Sequence, residues 1–127
     1  MKIEHIAMYV SDLEREKEFF VTYFGAKANQ RYESQHDGFM SYFLTFDDAS
    51  RLELMYKPIM KDIPKEHLRN GFHHIAMSVG SREKVDEITE RLRADGYEVV
   101  SNPRTTGDGY YESCVLDAEG NQVEITI

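Results

Sequence analysis

Two histidines and two glutamates recur in this sequence at nearly equal spacing. His5 and His74 lie 69 positions apart and each is followed by Ile-Ala-Met, whereas Glu53 and Glu124 lie 71 positions apart. Imidazole nitrogens and carboxylate oxygens suit divalent ions such as Zn, Ni, Co, Mn or Fe(II). The pattern therefore predicts one divalent metal site built from these four side chains.

The chemistry of such a site needs both halves of the chain. Each half provides one histidine and one glutamate, whereas a catalytic metal usually takes three or more protein ligands. A bound ion would act as a Lewis acid on a substrate oxygen, and a carboxylate beside it could serve as a general base. We therefore expect the two halves to face each other across the ion.

The elements that must position these residues form an internal repeat of one β-α-β-β-β unit. The strands are predicted at about 3–10, 26–33, 39–46 and 51–56 in the first half, and at about 72–79, 97–101, 110–116 and 122–127 in the second. A capping-box pattern at Ser11 predicts the start of the first helix, and Gly25 predicts its end. The second helix is predicted from Ser81 to Gly96. The prediction is an α+β fold of two curved mixed sheets with helices on the outer face.

Strand alternation places the four candidate ligands on one face of each sheet. Glu53 alternates with Leu52 and Leu54, and Glu124 alternates with apolar residues in the same way. Both histidines also oppose apolar neighbours. In the aligned repeat His73 falls on Glu4, so His74 is the histidine that pairs with His5. The apolar face should pack on the helices, which leaves the other face to hold a ligand.

The domain organisation follows from a break between the repeats. Residues 57–70 are mostly polar and include Pro58 and Pro64, which predicts a linker. We expect a single domain over residues 1–127, with module 1 at about 1–56 and module 2 at about 71–127.

Composition limits the partners. The 127 residues carry a net charge of −8 and a pI of about 5.1, which argues against nucleic-acid or membrane binding. The chain has no apolar run long enough for a transmembrane helix, no signal-peptide pattern and a single cysteine. These features favour a cytoplasmic protein that acts on a small molecule.

Several other residues have both a functional and a structural interpretation. Tyr9 shares a face with His5 and is a candidate for the substrate pocket. Arg104 and Tyr111 could bind a substrate carboxylate or oxygen, although a solvated arginine and a packed aromatic ring explain them as well. Cys114 is expected to be a small buried hydrophobic residue. The acids of the first helix are expected to form a solvated face: Glu14, Glu16 and Glu18.

The same segments resemble the vicinal oxygen chelate superfamily, which includes glyoxalase I, extradiol dioxygenases and bleomycin-binding proteins. The resemblance covers nearly the whole chain and is carried by residues 3–13, 52–54, 72–76 and 117–125. The last segment is similar to the family ending D-P-(D/E)-G-N-x-x-E, with Ala118 in place of proline.

Within that superfamily, the order His-Glu-His-Glu resembles bacterial glyoxalase I. The resemblance implies that His5, Glu53, His74 and Glu124 bind the metal. It also implies that Glu124 moves a proton between two carbons of a hemithioacetal, with Glu53 as its counterpart. Short members of the family form homodimers in which the amino-terminal module of one chain faces the carboxy-terminal module of the other.

Other reactions of the superfamily stay open at this point. A ring-cleaving dioxygenase or thiol transferase typically uses two histidines and one glutamate, and a metal-free antibiotic-binding protein lacks the ligands. Glutathione-dependent relatives carry an arginine where this chain has Tyr9, and an asparagine in the region of residues 56–58. The resemblance therefore implies a glyoxalase I-like, metal-dependent lyase without identifying its thiol.

Overall fold

The computed structural model describes all residues from 1 to 127. The chain divides into two compact units, Met1–Ile63 and Pro64–Ile127. The division falls inside the segment 57–70, which contains no helix or strand.

Each unit contains one helix that follows its first strand. The elements of the first unit are β1 (Ile6–Tyr9), α1 (Leu13–Phe24), β2 (Lys27–Ala28), β3 (Tyr32–Glu33), β4 (Met40–Thr45) and β5 (Arg51–Tyr56). The elements of the second unit are β6 (His74–Ser78), α2 (Arg82–Ala94), β7 (Val99–Thr105), β8 (Tyr111–Leu116) and β9 (Gln122–Thr126).

The two sheets have the same topology. Strands run in the order β1-β5-β4-β2 in the first unit, with β3 also paired to β4, and in the order β6-β9-β8-β7 in the second. In each unit the strand that comes first in the sequence pairs in parallel with the one that comes last, β1 with β5 and β6 with β9. The remaining strand pairs are antiparallel. The predicted α+β fold of two mixed sheets is therefore confirmed.

The first helix begins at an Asp12 cap and ends at Gly25. The Asp12 side chain accepts a hydrogen bond from the Arg15 backbone N–H, so the predicted start at Ser11 was off by one residue. Gly25 adopts the left-handed conformation that glycine tolerates best, with a φ of 67°. The helix buries Phe19 and Phe20.

The prediction of a solvated acidic face on α1 is wrong for Glu16, which is completely buried. Its position lies three residues after Leu13 and four before Phe20, so it falls on the same helical stripe as these two buried residues. Helical periodicity alone would have placed this carboxylate on the buried face, and the prediction failed because it followed the charge of the side chain instead.

The second helix covers its sheet through an apolar core and one buried polar contact. Val85 and Leu92 on α2 are fully buried, as are Val115 on β8 and Val123 on β9. The buried Thr89 hydroxyl donates to the Val85 carbonyl and lies 2.6 Å from the Ser113 hydroxyl oxygen. These contacts leave the opposite face of the sheet for His74 and Glu124.

Several predicted strands differ from those observed. The strand predicted at 3–10 is limited to Ile6–Tyr9, so His5 lies just before it. The strand predicted at 26–33 divides into β2 and β3 because the Asn29 side chain accepts a hydrogen bond from the Phe43 backbone N–H. The strand predicted at 97–101 continues to Thr105 and includes Pro103. Since β7 is an edge strand, the missing N–H of proline is tolerated there.

Neither helix has the length and apolarity that a membrane-spanning helix requires.

Candidate metal centre

The amino-terminal half-site consists of His5 and Glu53. His5 immediately precedes β1, and Glu53 lies in the middle of β5, paired in register with Ala7. The His5 Nε2 atom is 3.6 Å from the Glu53 Oε2 atom. The glutamate side chain is only 15% exposed, whereas the imidazole is 37% exposed.

The carboxy-terminal half-site consists of His74 and Glu124 and repeats this geometry. His74 opens β6, and Glu124 lies in the middle of β9, paired in register with Ala76. The His74 Nε2 atom is 3.6 Å from the Glu124 Oε2 atom, and the side chains are 38% and 20% exposed. Two sequences that have diverged elsewhere therefore keep the same atom pair at the same separation.

The donor pair in each half-site fits one metal ion. A separation of 3.6 Å is longer than a hydrogen bond. Ligand atoms at about 2.0–2.2 Å from one ion, with angles of about 90–110° between them, lie about 3.0–3.5 Å apart. Each nitrogen–oxygen pair therefore has nearly the spacing of two adjacent ligands. No group of three or more histidine, cysteine, aspartate or glutamate side chains gathers within the chain, so each half-site offers only two ligands.

The His5 ring is held on its other side by two further side chains. Its Nδ1 atom contacts the Glu4 carboxylate, whose second oxygen accepts a hydrogen bond from Arg51. The His5 ring also meets the edge of Phe43, with ring centroids 5.3 Å apart. The Arg51 guanidinium stacks over the same Phe43 ring at 4.1 Å. The imidazole is thus fixed with Nε2 directed towards Glu53.

The His74 ring has corresponding neighbours of different chemistry. Its Nδ1 atom is 2.9 Å from the Nδ1 atom of His73, and the Nε2 atom of His73 is 3.1 Å from the Gln122 side-chain amide. The Cys114 thiol donates to the other end of that amide at 3.3 Å. In the aligned repeat, His73 corresponds to Glu4, Gln122 to Arg51 and Cys114 to Phe43.

Hydrogen bonds, burial and nearby charges change the pKa of three groups around the half-sites. Hydrogen bonds from His5 and Arg51 lower the pKa of Glu4. Burial raises the pKa of Cys114 to about 11, and the carboxylates of Glu124 and Glu112 add to this effect. Burial and the nearby Glu124 carboxylate also raise the pKa of Glu112.

The predicted substrate residues are placed differently. Tyr9 is half exposed, and its register partner Met55 is two residues from Glu53, so it shares the ligand face. Arg104 is exposed and pairs in register with Glu112, which contacts Glu124. Both residues therefore lie on faces that carry a half-site.

Tyr111 is not brought to the half-site. Its hydroxyl donates to the Asp86 carboxylate of α2 at 2.7 Å, and the Arg82 guanidinium stacks on its ring at 4.4 Å. It precedes Glu112 on β8 and so points to the opposite, helix-covered face. Tyr111 is therefore a packed aromatic residue on the helix side of the sheet, and it is not part of the proposed site.

Two residues that contact the site histidines, Glu4 and His73, were not predicted from the sequence. The residues that hold them in turn, Arg51 and Gln122, were not predicted either. The repeat alignment contained the signal, because each pair occupies equivalent positions. A Glu–Arg pair and a His–Gln pair differ in residue type, so the sequence did not indicate that both pairs contact the Nδ1 side of a site histidine.

Comparison with known proteins identifies the family of this chain. The family model described as the glyoxalase/bleomycin resistance protein/dioxygenase superfamily matches residues 2–125. The chain belongs to this superfamily. The match includes both half-sites and both helices, so the family resemblance inferred from the sequence is confirmed.

Three similar proteins illustrate the range of this family. An uncharacterized protein of Bacillus subtilis, YqjT, is 32% identical over 97% of this chain and 96% of its own length. A lactoylglutathione lyase of Arabidopsis thaliana is 27% identical over 95% of this chain, which spans 42% of that protein. The crystal structure of glyoxalase I from Zea mays superposes with a TM-score of 0.80 at 21% identity, over 98% of this chain and 44% of that one.

Proposed function

We propose that this protein is a metal-dependent, glyoxalase I-like lyase that isomerises a hemithioacetal or a related small hydroxy-carbonyl compound. The observation that carries the proposal is the repeated pair of imidazole nitrogen and carboxylate oxygen, separated by 3.6 Å in both units. Similarity to a lactoylglutathione lyase supports the reaction class.

The four ligands are His5, Glu53, His74 and Glu124. Since each unit offers only two of them, we propose a homodimer in which the amino-terminal half-site of one chain meets the carboxy-terminal half-site of its partner. One divalent ion per site, Zn, Ni, Co, Mn or Fe, would supply Lewis acidity towards a substrate oxygen. Borderline nitrogen and oxygen ligands of this kind suit any of these ions.

The proton transfer is assigned to the two glutamates. Glu124 removes the proton from the carbon that bears the hydroxyl and sulfur and returns it to the adjacent carbonyl carbon, while the hydroxyl proton passes to the former carbonyl oxygen, so the hemithioacetal becomes a 2-hydroxy thioester without loss of atoms. Glu53 lies in the equivalent place in the other half-site and would serve the opposite face of the substrate.

The thiol carried by the substrate is a separate question. Tyr9 occupies the position at which glutathione-dependent relatives carry an arginine, and it is half exposed beside the amino-terminal half-site. Arg104 is the exposed cation on the carboxy-terminal ligand face and would bind a substrate carboxylate. We propose these two residues as the determinants of the thiol.

The test combines a substrate screen with two variants. The metal-loaded protein is assayed with hemithioacetals of a 2-oxoaldehyde and glutathione, cysteine or coenzyme A. Glu124→Gln should lower kcat by at least 10²-fold while partly sparing metal binding, because the amide can still offer an oxygen ligand but cannot take the proton. Glu98→Gln, which alters an exposed glutamate of the same unit, is the matched control.

Two outcomes would overturn the proposal. Full activity of Glu124→Gln would show that Glu124 is not the general base. Failure of the purified protein to bind any of these divalent ions would remove the metal-dependent reaction and favour the antibiotic-binding alternative.

A further inference from the structure

The two ring nitrogens of each site histidine face different partners. Nε2 faces the glutamate of the half-site, and Nδ1 faces a side chain from the preceding residue. A neutral imidazole carries its proton on one nitrogen and binds a metal through the other. The partner of Nδ1 therefore decides whether the nitrogen beside the glutamate is available to an ion.

For His5 this decision is fixed by charge. An ionised Glu4 carboxylate can only accept hydrogen bonds, and Arg51, which contacts its other oxygen, can only donate. His5 must then carry its proton on Nδ1, and its Nε2 lone pair is directed towards the Glu53 side. The arrangement is the carboxylate–histidine pair that commonly orients metal ligands.

For His74, charge does not decide which ring nitrogen carries the proton. His73 and Gln122 can each donate and accept, so the chain of contacts from Cys114 through Gln122 and His73 to His74 can be polarised in two ways. No group in it is restricted to accepting, in contrast to Glu4.

The first polarity follows the hydrogen bond from the Cys114 thiol to the Gln122 side-chain oxygen. The Gln122 NH₂ group then donates to His73 Nε2, and His73 Nδ1–H donates to His74. The His74 proton is consequently on Nε2, where it faces Glu124 and blocks metal binding.

The second polarity needs a half-turn of the Gln122 amide. His73 Nε2–H then donates to the Gln122 oxygen, and His73 Nδ1 accepts the proton of His74 Nδ1. The Nε2 lone pair of His74 becomes available on the Glu124 side. The Gln122 amide oxygen and nitrogen exchange places and the Cys114 S–H turns away from the NH₂ group, while the other heavy atoms keep their positions.

We propose that Glu4 and His73 are positioning residues that set the metal-binding nitrogen of the site histidines: Glu4, held by Arg51, keeps His5 permanently ready, and His73, held by Gln122, switches His74 between two tautomers. This rests on the proposed function only for the identity of the bound species as a metal ion. The tautomers are properties of the metal-free protein.

The first experiment measures tautomers in the metal-free, ¹⁵N-labelled protein by long-range proton–nitrogen NMR correlation of the imidazole rings. His5 should carry its proton on Nδ1, and Glu4→Ala should remove this preference and weaken Ni²⁺ or Zn²⁺ binding by about 10–100-fold. Glu4→Gln should not restore the tautomer, because Arg51 can only donate and keeps the single amide oxygen, which turns the NH₂ group towards His5 Nδ1. Glu33→Ala, which removes another exposed glutamate paired with an arginine, should change neither.

The second experiment polarises the His74 chain with Gln122→Glu. The nearly isosteric carboxylate can only accept, so it should shift His74 to the Nδ1–H tautomer and raise Zn²⁺ affinity about tenfold. Lys65 and Arg69 line the same small pocket as Gln122 and offer positive charge to the new carboxylate. Gln122→Met removes both hydrogen-bonding groups of the amide and should not raise the Zn²⁺ affinity. Circular dichroism checks that both variants fold.

The results separate the two proposals. A wild-type His5 with its proton on Nε2, or unchanged tautomers in Glu4→Ala and Gln122→Glu, would overturn the positioning roles even if metal binds. The expected tautomers in a protein that binds no metal would instead leave the positioning roles standing and overturn the proposed function.

Discussion

At the residue scale, the two histidines have equivalent positions and neighbours of opposite character. His5 is bordered by charged and aromatic side chains, Glu4, Arg51 and Phe43. On the side of His74 away from Glu124, the side chains carry no fixed charge: His73, Gln122 and the half-buried Cys114, whose pKa is raised by burial. The proton placement on His74 therefore depends on a chain of hydrogen bonds, whereas that on His5 depends on the charges of Glu4 and Arg51.

Cys114 should be unreactive at neutral pH in the native, metal-free protein. Its pKa is raised from 9.0 to about 11, so the thiolate fraction at pH 8 is about 100-fold lower than for an unshifted cysteine. Because the raised pKa favours the neutral thiol, the rate of disulfide exchange with an aromatic disulfide reagent should rise about tenfold per pH unit from pH 7 to 10. The unfolded protein, which lacks burial, should level off near pH 9.

A plateau in the native protein near pH 9 would contradict this assignment. Glu124→Gln supplies an internal check, because loss of a neighbouring negative charge should lower the Cys114 pKa and speed the reaction.

At the element scale, much of the fold followed from alternation and helix signals. The periodicity of Leu52-Glu53-Leu54 predicted the ligand face of β5, and Gly25 and Ser81 marked helix ends that the structure confirms. The break in the strand predicted at 26–33 could not be foreseen, because it depends on a contact between Asn29 and Phe43 from a distant part of the chain. Likewise, the outer contacts of His74 with His73 depend on side-chain geometry that alternation does not contain.

The polar contact between α2 and β8 should be a measurable source of stability. Thr89→Val leaves the buried Ser113 hydroxyl without this partner, which should lower the free energy of unfolding by about 1–3 kcal/mol. Adding Ser113→Ala should recover part of the loss, since the double variant has no buried hydroxyl to satisfy. Urea unfolding of the two single variants and the double variant measures the coupling, and strictly additive losses would show that the contact contributes nothing.

At the scale of the whole molecule, each unit holds two of the four proposed ligands, and no set of three gathers in the chain. The repeat predicted both pairs from sequence because residue type and alternation are local properties. It could not show which chain completes a site, because an isolated repeat carries no information about its partner. The proposed homodimer therefore rests on the family resemblance and on the incomplete half-site in each unit.

The proposed exchange of half-sites between chains predicts complementation. His5→Ala and His74→Ala chains, each inactive alone, should form mixed dimers with one intact site and one doubly defective site. After unfolding and refolding together in equal amounts, about a quarter of the wild-type sites should return, by statistical pairing under the homodimer arrangement. No recovery, with mixed dimers shown by mass spectrometry, would place all four ligands of a site in one chain.

The most direct test of the central claim is a calorimetric titration of the metal-free protein with Zn²⁺ or Ni²⁺. If the two half-sites bind one ion together, the wild-type protein takes up one ion per chain, and His5→Ala and His74→Ala each weaken that binding by at least 100-fold, while His36→Ala, which alters an exposed turn histidine, has no effect. Two independent ions per chain, or wild-type affinity after loss of either His5 or His74, would contradict a shared metal site.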